Sequence, residues 1–439
     1  MTTNRFLVAL LALAYTAPVA AQVPTMYLTG PIKELVRPSA LVSDPGYQAN
    51  NTGSKCHRAD ILASFFNLDV VKLPNGTWLM ALQDGPQLSG CGPFVGDAFG
   101  KSDQTYLYKS TGGPLGRYLP IAYSGAGVIL CQESKDSNIG MYSPDSVNNC
   151  DLSEGFWGMG SFVQTVHNSD LFMSQEKGTI VDPILQESKW AYTNTINNQG
   201  VATSDRRLML FTGNTGLGLA KPYLFRWNAG DTIFPFFINY FTDDGSFSNP
   251  GKAFGYIKFS SYPTSYSVAL MDSVGNNVTL PANRTFSSIG NILSYPMRPL
   301  GSIRPIGTVI PPAQGNFGFG SKPVMFYSLF RNGDGPSCSG SLHGGKESLI
   351  GYASFVLNSD ANGNPVWGGW GPTRDSKVVQ TTSFEDYQFD GNESITNVDV
   401  VPINSSSGYI FWAQATNCNT PQDTDLAIYG SQYSLLIVK

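Results

Sequence analysis

Charge is scarce in this chain. Of 439 residues, only 27 are Lys or Arg and 32 are Asp or Glu, for a net charge of −5. No basic cluster exceeds Arg206-Arg207. Nucleic acid, whose phosphates demand clustered cations, is therefore excluded as an expected partner. Histidine is limited to His57, His167 and His343, and no C-x-x-C or H-x-x-x-H spacing occurs, so neither a zinc site nor another metal centre is expected. After residue 21 no apolar run approaches the ~20 residues a membrane helix needs. No G-x-S-x-G elbow exists for an esterase. The phosphate-loop-like stretch Gly340-Ser341-Leu342-His343-Gly344-Gly345-Lys346 is followed by Glu347 where a Mg²⁺-binding hydroxyl belongs. Nothing in the sequence calls for a cofactor. Helical periodicity is also missing after the first 21 residues.

What the chain has instead is Gly, Pro, Asn, Ser and aromatic residues around short apolar runs. That is the pattern of strands joined by turns, an all-β chain. Arg5, the apolar stretch Phe6 to Ala14 and the small residues Val19-Ala20-Ala21 read as a secretory signal peptide over residues 1–21. Residues 22–439 are then a single mature domain, expected to be secreted and not membrane-anchored. Six cysteines (Cys56, Cys91, Cys131, Cys150, Cys338 and Cys418) suit disulfides in that compartment. Six N-x-[ST] triplets begin at Asn50, Asn75, Asn277, Asn283, Asn392 and Asn404, so a glycoprotein is expected.

One unit recurs. Asp69-Val70-Val71-Lys72-Leu73 leads through Pro74-Asn75-Gly76 to Trp78-Leu79-Met80-Ala81-Leu82. Asp399-Val400-Val401-Pro402-Ile403 leads through Ser405-Ser406-Ser407-Gly408 to Tyr409-Ile410-Phe411-Trp412-Ala413. Between them, Asp182-Pro183-Ile184-Leu185 leads through Glu187-Ser188 to Trp190-Ala191-Tyr192. Further strands follow each unit, and two weaker units include Ile233 to Tyr240 and Val324 to Phe330. The spacing predicts about five four-stranded units, a five-bladed β-propeller, with residues 22–50 covering a rim or supplying a locking strand. A β-sandwich with a second β-domain is the alternative. In a propeller the first strand of each blade lines the axis, so Asp69, Asp182 and Asp399 are expected to converge at one mouth. There each carboxylate raises its neighbours' proton affinity and separates acid from base roles. The plainer expectation is that each Asp accepts backbone N–H bonds.

The segments opening at Asp69 and Asp182 resemble blade-opening segments of five-bladed propeller glycoside hydrolases, the arabinanase, xylosidase and invertase group. That resemblance implies Asp69 as base or nucleophile and Asp182 as the residue that tunes the acid and orients substrate. It implies a Glu on a following blade as general acid, yet no Glu lies between Glu187 and Glu347. Asp243, Asp244, Glu154 and Glu176 are the remaining candidates, and two carboxyl groups about 5–10 Å apart are required. Trp157, Trp227, Trp367 and Trp370 lie in Gly- or Asn-rich contexts and are expected to be sugar-stacking platforms, whereas Trp78, Trp190 and Trp412 are expected to pack within sheets. The functional expectation is a secreted glycoside hydrolase acting on a glycan. A non-catalytic, lectin-like propeller is the alternative.

Overall fold

The computed structural model describes residues 23–37, 62–86, 104–120, 129–130, 156–164, 171–182, 185–193, 207–209, 219–227, 230, 232–240, 251–261, 265–271, 277–278, 299–306, 323–330, 348–372, 375–381, 394–415 and 427–436. Every regular element among them is a strand, in agreement with the all-β expectation.

Two short strands come first, β1 (Thr25–Leu28) and β2 (Lys33–Val36). The first sheet holds β3 (Leu62–Lys72), β4 (Trp78–Pro86), β5 (Gln104–Ser110) and β6 (Tyr118–Pro120), with β7 (Ile129–Leu130) also on β5. The second is β8 (Phe156–Gln164), β9 (Leu171–Asp182), β10 (Leu185–Thr193) and β11 (Arg207–Met209). The third runs β12 (Leu219–Leu224), β13 (Ile233–Tyr240), β14 (Gly251–Ser261), β15 (Ser265–Met271) and β16 (Asn277–Val278). The fourth has β17 (Pro299–Ile306), β18 (Val324–Phe330), β19 (Ser348–Ser359) and β20 (Pro365–Trp370), with β21 (Ser376–Val378) on β19. Then come β22 (Gln380–Thr381), β23 (Ser394–Pro402), β24 (Ser407–Ala415) and β25 (Ala427–Leu436). These join β1 and β2 in the fifth sheet, ordered β22-β1-β25-β24-β23.

The sheets meet through their first strands. β3 touches β8, β8 touches β12, β12 touches β17, β17 touches β23, and β23 returns to β3.

The fifth sheet is built from both ends of the described chain. Thr25 to Leu28 pair antiparallel with Leu436 to Tyr433, and Lys33 to Val36 continue along the same strand beside Gly430 to Ile428. Between them the Thr29 N–H donates to Gln432 O and Ser431 Oγ donates to Gly30 O. On its other side β1 pairs parallel with β22. The expected locking strand from the N-terminal segment is therefore present.

Side-chain alternation explains how this sheet is buried on both faces. Val398, Val400, Ile410, Trp412, Ala427 and Tyr429 face the fourth sheet, where they pack with Val324, Phe326, Ile350 and Tyr352. The interleaved Phe411, Ala413 and Ile428 face the first sheet, where they pack with Leu68, Val70, Trp78, Met80 and Tyr108. A period of two with both phases apolar is the signature of a strand covered on both sides. Trp78 and Trp412 are buried at 4% and 2% exposure, so their packing role holds.

Tyr352 ties the fourth sheet to the locking strand. Its ring stacks on Phe326 at 4.9 Å. Its buried hydroxyl accepts the Met26 N–H and donates to Pro24 O, both at 2.7 Å. Tyr352→Phe strands two buried backbone groups at once. The expected loss is about 2–3 kcal/mol of unfolding free energy, read as a lowered midpoint in urea; an unchanged midpoint refutes the clasp.

Candidate functional site

The two Asp-Val-Val segments form matching hairpins. Asp69 pairs with Ala81 and Asp399 with Phe411, twelve residues further on in each case. The loops are alike as well: Leu73 N–H donates to Thr77 O, and Ile403 N–H to Ser407 O. Gly76, at φ 87°, occupies the left-handed position that closes a three-residue loop after a type I turn. The register corrects one expected equivalence. Tyr409 matches Leu79 rather than Trp78, and the rings of Tyr409 and Trp78 instead meet edge to face across the two sheets at 5.5 Å.

The third segment is not a copy. Asp182 is the last residue of β9, the second strand of its sheet, and pairs with Leu185. Glu187 and Ser188, expected in a turn, lie inside β10 opposite Thr179 and Gly178. The inner strand of that sheet is β8, and by register its Ser161, opposite Ser174, holds the place that Asp69 holds in β3.

Nor do Asp69 and Asp399 open their strands. β3 begins seven residues before Asp69 and β23 five residues before Asp399, so both carboxylates sit along the strand rather than at its mouth. Asp69 lies close to the β3–β4 hairpin, whereas Asp182 extends past Gly178, the partner of the first residue of β8. Along its sheet Asp69 therefore stands near the end of the inner strand, and Asp182 stands on the second strand, beyond the start of β8.

Both inner-strand carboxylates are buried at 0% exposure. Asp399, between Val398 and Val400 that face the fourth sheet, points to the first sheet. There its Oδ2 accepts the Val70 N–H of β3 at 2.5 Å. A carboxylate taking a backbone N–H across two sheets makes a charge-assisted bond in a dry seam. Tyr118 stands in the same seam, its hydroxyl donating to Pro114 O. Burial first, and then the Asp399 charge, push the Tyr118 phenol well above its ordinary range. By the same alternation, Leu68 and Val70 face the fifth sheet, so Asp69 between them faces the second.

The expected platforms divide. Trp367 lies within β20 rather than in a loop, is 8% exposed, and stacks on Phe355 at 5.4 Å with Phe254 at 6.2 Å; it is core. Trp370, at the end of the same strand, is half-buried and meets Trp367 edge to face at 5.6 Å. Trp227 is half-buried, and its Nε1 donates to Gly363 O at 3.0 Å, spanning the third and fourth sheets. Trp157 lies on β8, opposite Lys177. Beside Trp227, Lys258 Nζ donates to Asn364 Oδ1 at 2.7 Å, and Asn364 Nδ2 donates to Asp360 Oδ2 at 2.8 Å. Asp360 Oδ1 also accepts the N–H groups of Asn362 and Asn364. These bonds, the Asn364 N–H foremost, hold the Asp360 carboxyl below its ordinary range. Its oxygens maintain a hairpin. Neither Lys258 nor Asn364 carries a sequence motif; their pairing depends on two sheets meeting.

Glu154, Asp243, Asp244, Glu347, the three histidines and the six cysteines lie outside the described residues. Among the described residues no group of three or more His, Cys, Asp or Glu could hold a metal ion, and no helix is long and apolar enough to cross a membrane.

No protein-family profile and no curated protein matches the sequence. Several solved structures are similar in chain path. The levansucrase of B. megaterium matches at 11% identity over 93% of this chain and 90% of its own, with a TM-score of 0.47. An exo-1,5-α-L-arabinanase from a bovine ruminal metagenomic library matches at 10% identity over 86% and 98%, with a TM-score of 0.42. A family 43 glycoside hydrolase of Bacillus licheniformis matches at 10% identity over 84% and 83%, with a TM-score of 0.41. The chain thus bears a weak likeness to glycoside hydrolase structures, one that decides no residue's role.

Proposed function

We propose that this chain is a secreted, carbohydrate-active protein built as a five-bladed β-propeller, with glycoside hydrolysis the first activity to assay. The observation that carries it is the succession of five first strands, each touching the next and the last touching the first. Such a ring surrounds an axis, and the mouths of closed β-architectures are favoured ligand sites. The resemblance of the Asp69 and Asp182 segments supplies the carbohydrate class. The half-buried Trp227, its indole oriented by the bond to Gly363 and flanked by Lys258, Asn364 and Asp360, fits a sugar-stacking edge. Asp182, past the start of its inner strand, keeps the substrate-orienting role in this reading.

One observation favours the non-catalytic form. Asp69 is fully buried and directed at the second sheet, which suits a structural carboxylate better than a base that must reach substrate. In that form the protein binds a glycan and releases it unchanged.

A reducing-sugar assay and a glycan array on one preparation decide between them. Turnover selects the hydrolase, and binding without turnover selects the module. Neither turnover nor binding across plant, fungal and bacterial polysaccharides overturns the carbohydrate reading in both forms.

A further inference from the structure

Two of the six N-x-[ST] triplets fall on the matched hairpins, Asn75-Gly76-Thr77 and Asn404-Ser405-Ser406. Both asparagines are exposed at loop tips. The Asn75 Oδ1 accepts the Thr77 N–H at 2.9 Å. The Asn404 Oδ1 accepts the N–H groups of Ser406 and Ser407, each at 2.9 Å. In both hairpins the amide oxygen is folded back onto the turn. The hairpins are neighbours: β23 touches β3, and the Trp78 and Tyr409 rings meet beneath the two loops. Beside Asn404, Ile403 is one of the two large apolar side chains exposed among the described residues, at 41%.

We propose that Asn75 and Asn404 both carry N-linked glycans, set side by side on the rim where the first and fifth sheets meet. The modification needs a chain that enters the secretory pathway, which the leader-like residues 1–21 supply. The donor class is a polyprenyl-diphosphate-linked oligosaccharide. The amide nitrogen attacks the sugar's anomeric carbon, and a C–N bond forms as the C–O bond to diphosphate breaks. The diphosphate leaves with the bonding pair, and one amide proton passes to a base of the transferase, with no change of oxidation state. The acceptor is used before folding is complete, so the folded protein must leave both sugars in solvent. Exposed loop tips meet that demand without disturbing a ladder bond. A glycan at Asn404 also covers Ile403, an apolar side chain that otherwise faces water.

The test is the full chain with its own leader, secreted from a eukaryotic host, then released from N-glycans by peptide N-glycosidase in ¹⁸O-water. Peptide mass spectrometry is expected to find ¹⁸O-labelled Asp at 75 and at 404. Asn75→Gln and Asn404→Gln are each expected to remove one glycan step from the intact mass, and the double variant two. Thr77→Ala and Ser406→Ala abolish the same sites while leaving the backbone N–H bonds to the asparagine oxygens in place, Ser406→Ala losing only the hydroxyl bond to Asn404, which guards against a folding defect. Unmodified Asn75 or Asn404 in secreted protein overturns the proposal, and so does a chain retained in the cell with no glycan on any triplet.

Discussion

Asp399→Ala is expected to lower the unfolding free energy by about 3 kcal/mol, the cost of removing a charged acceptor and stranding a buried N–H. The Val70 N–H has Asp399 Oδ2 as its acceptor at 2.5 Å, in a seam of apolar side chains from the first and fifth sheets. That seam is where β23 of the fifth sheet meets β3 of the first, so its loss acts on the contact between two sheets as well as on one bond. Asp399→Asn keeps an acceptor oxygen and is expected to lose less, since the charge goes but the bond survives. Urea unfolding of the three proteins measures this; equal midpoints for wild type and Asp399→Ala remove the bond from the account. Asp69→Asn is the companion experiment. Asp69 on β3 matches Asp399 on β23 in pairing with the residue twelve positions ahead and in its 0% exposure, and it faces the next sheet. A lower midpoint with unchanged glycan turnover or binding per folded molecule is expected. Lost turnover at an unchanged midpoint returns Asp69 to the chemistry.

Much of the strand pattern was legible in the sequence because it depends on local chemistry. Ile233 to Tyr240 and Val324 to Phe330, read as apolar runs, are β13 and β18 residue for residue. Pro74-Asn75-Gly76 announced its loop because the third position demands a positive φ. What misled was the spacing of Asp, short apolar run and aromatic. At Asp69 and Asp399 it marks an inner strand. At Asp182 it marks the second strand of a sheet whose inner strand, Phe156–Gln164, opens on Trp157-Gly158-Met159-Gly160 without an acid. A hairpin's composition records which residues turn and which are covered. It does not record where in the sheet the hairpin lies, because an inner strand such as β23 and its neighbour β24 are both buried. The contacts between first strands do not depend on three equivalent carboxylates, so the sheet arrangement and the acid–base expectation are separate matters. The Tyr352 clasp and the Lys258–Asn364 bond were illegible for a simpler reason: each joins residues more than a hundred positions apart, and no local pattern encodes such a pairing.

The second large effect is expected in alkali. Tyr118, Tyr352 and Tyr433 are each fully buried, and burial pushes all three phenols well above their ordinary value of 10.0. Two of them are tied at the seams of the fifth sheet, Tyr118 beside Asp399 and Tyr352 through its hydroxyl to the locking strand; Tyr433 lies in that sheet, paired with Leu28 and Gly408. In the unfolded chain these phenols lose protons above about pH 10, while in the folded protein they keep them. The unfolded state then binds fewer protons, so stability is whole below pH 10 and falls as pH rises beyond it. Each phenol contributes about 1.4 kcal/mol per pH unit across that window, hence about 4 kcal/mol per unit for the three together. A domain of ordinary stability, about 5–15 kcal/mol, is expected to open about one to four units above pH 10. Absorbance at 295 nm and urea midpoints between pH 8 and 12 follow the two events together. Tyrosinate from these three is expected to rise only as the fold is lost, and Tyr433→Phe, which removes one phenol, is expected to reduce the slope by about a third. A midpoint that stays level through pH 12, or tyrosinate that forms fully in the folded protein, contradicts sealed seams on either side of the fifth sheet.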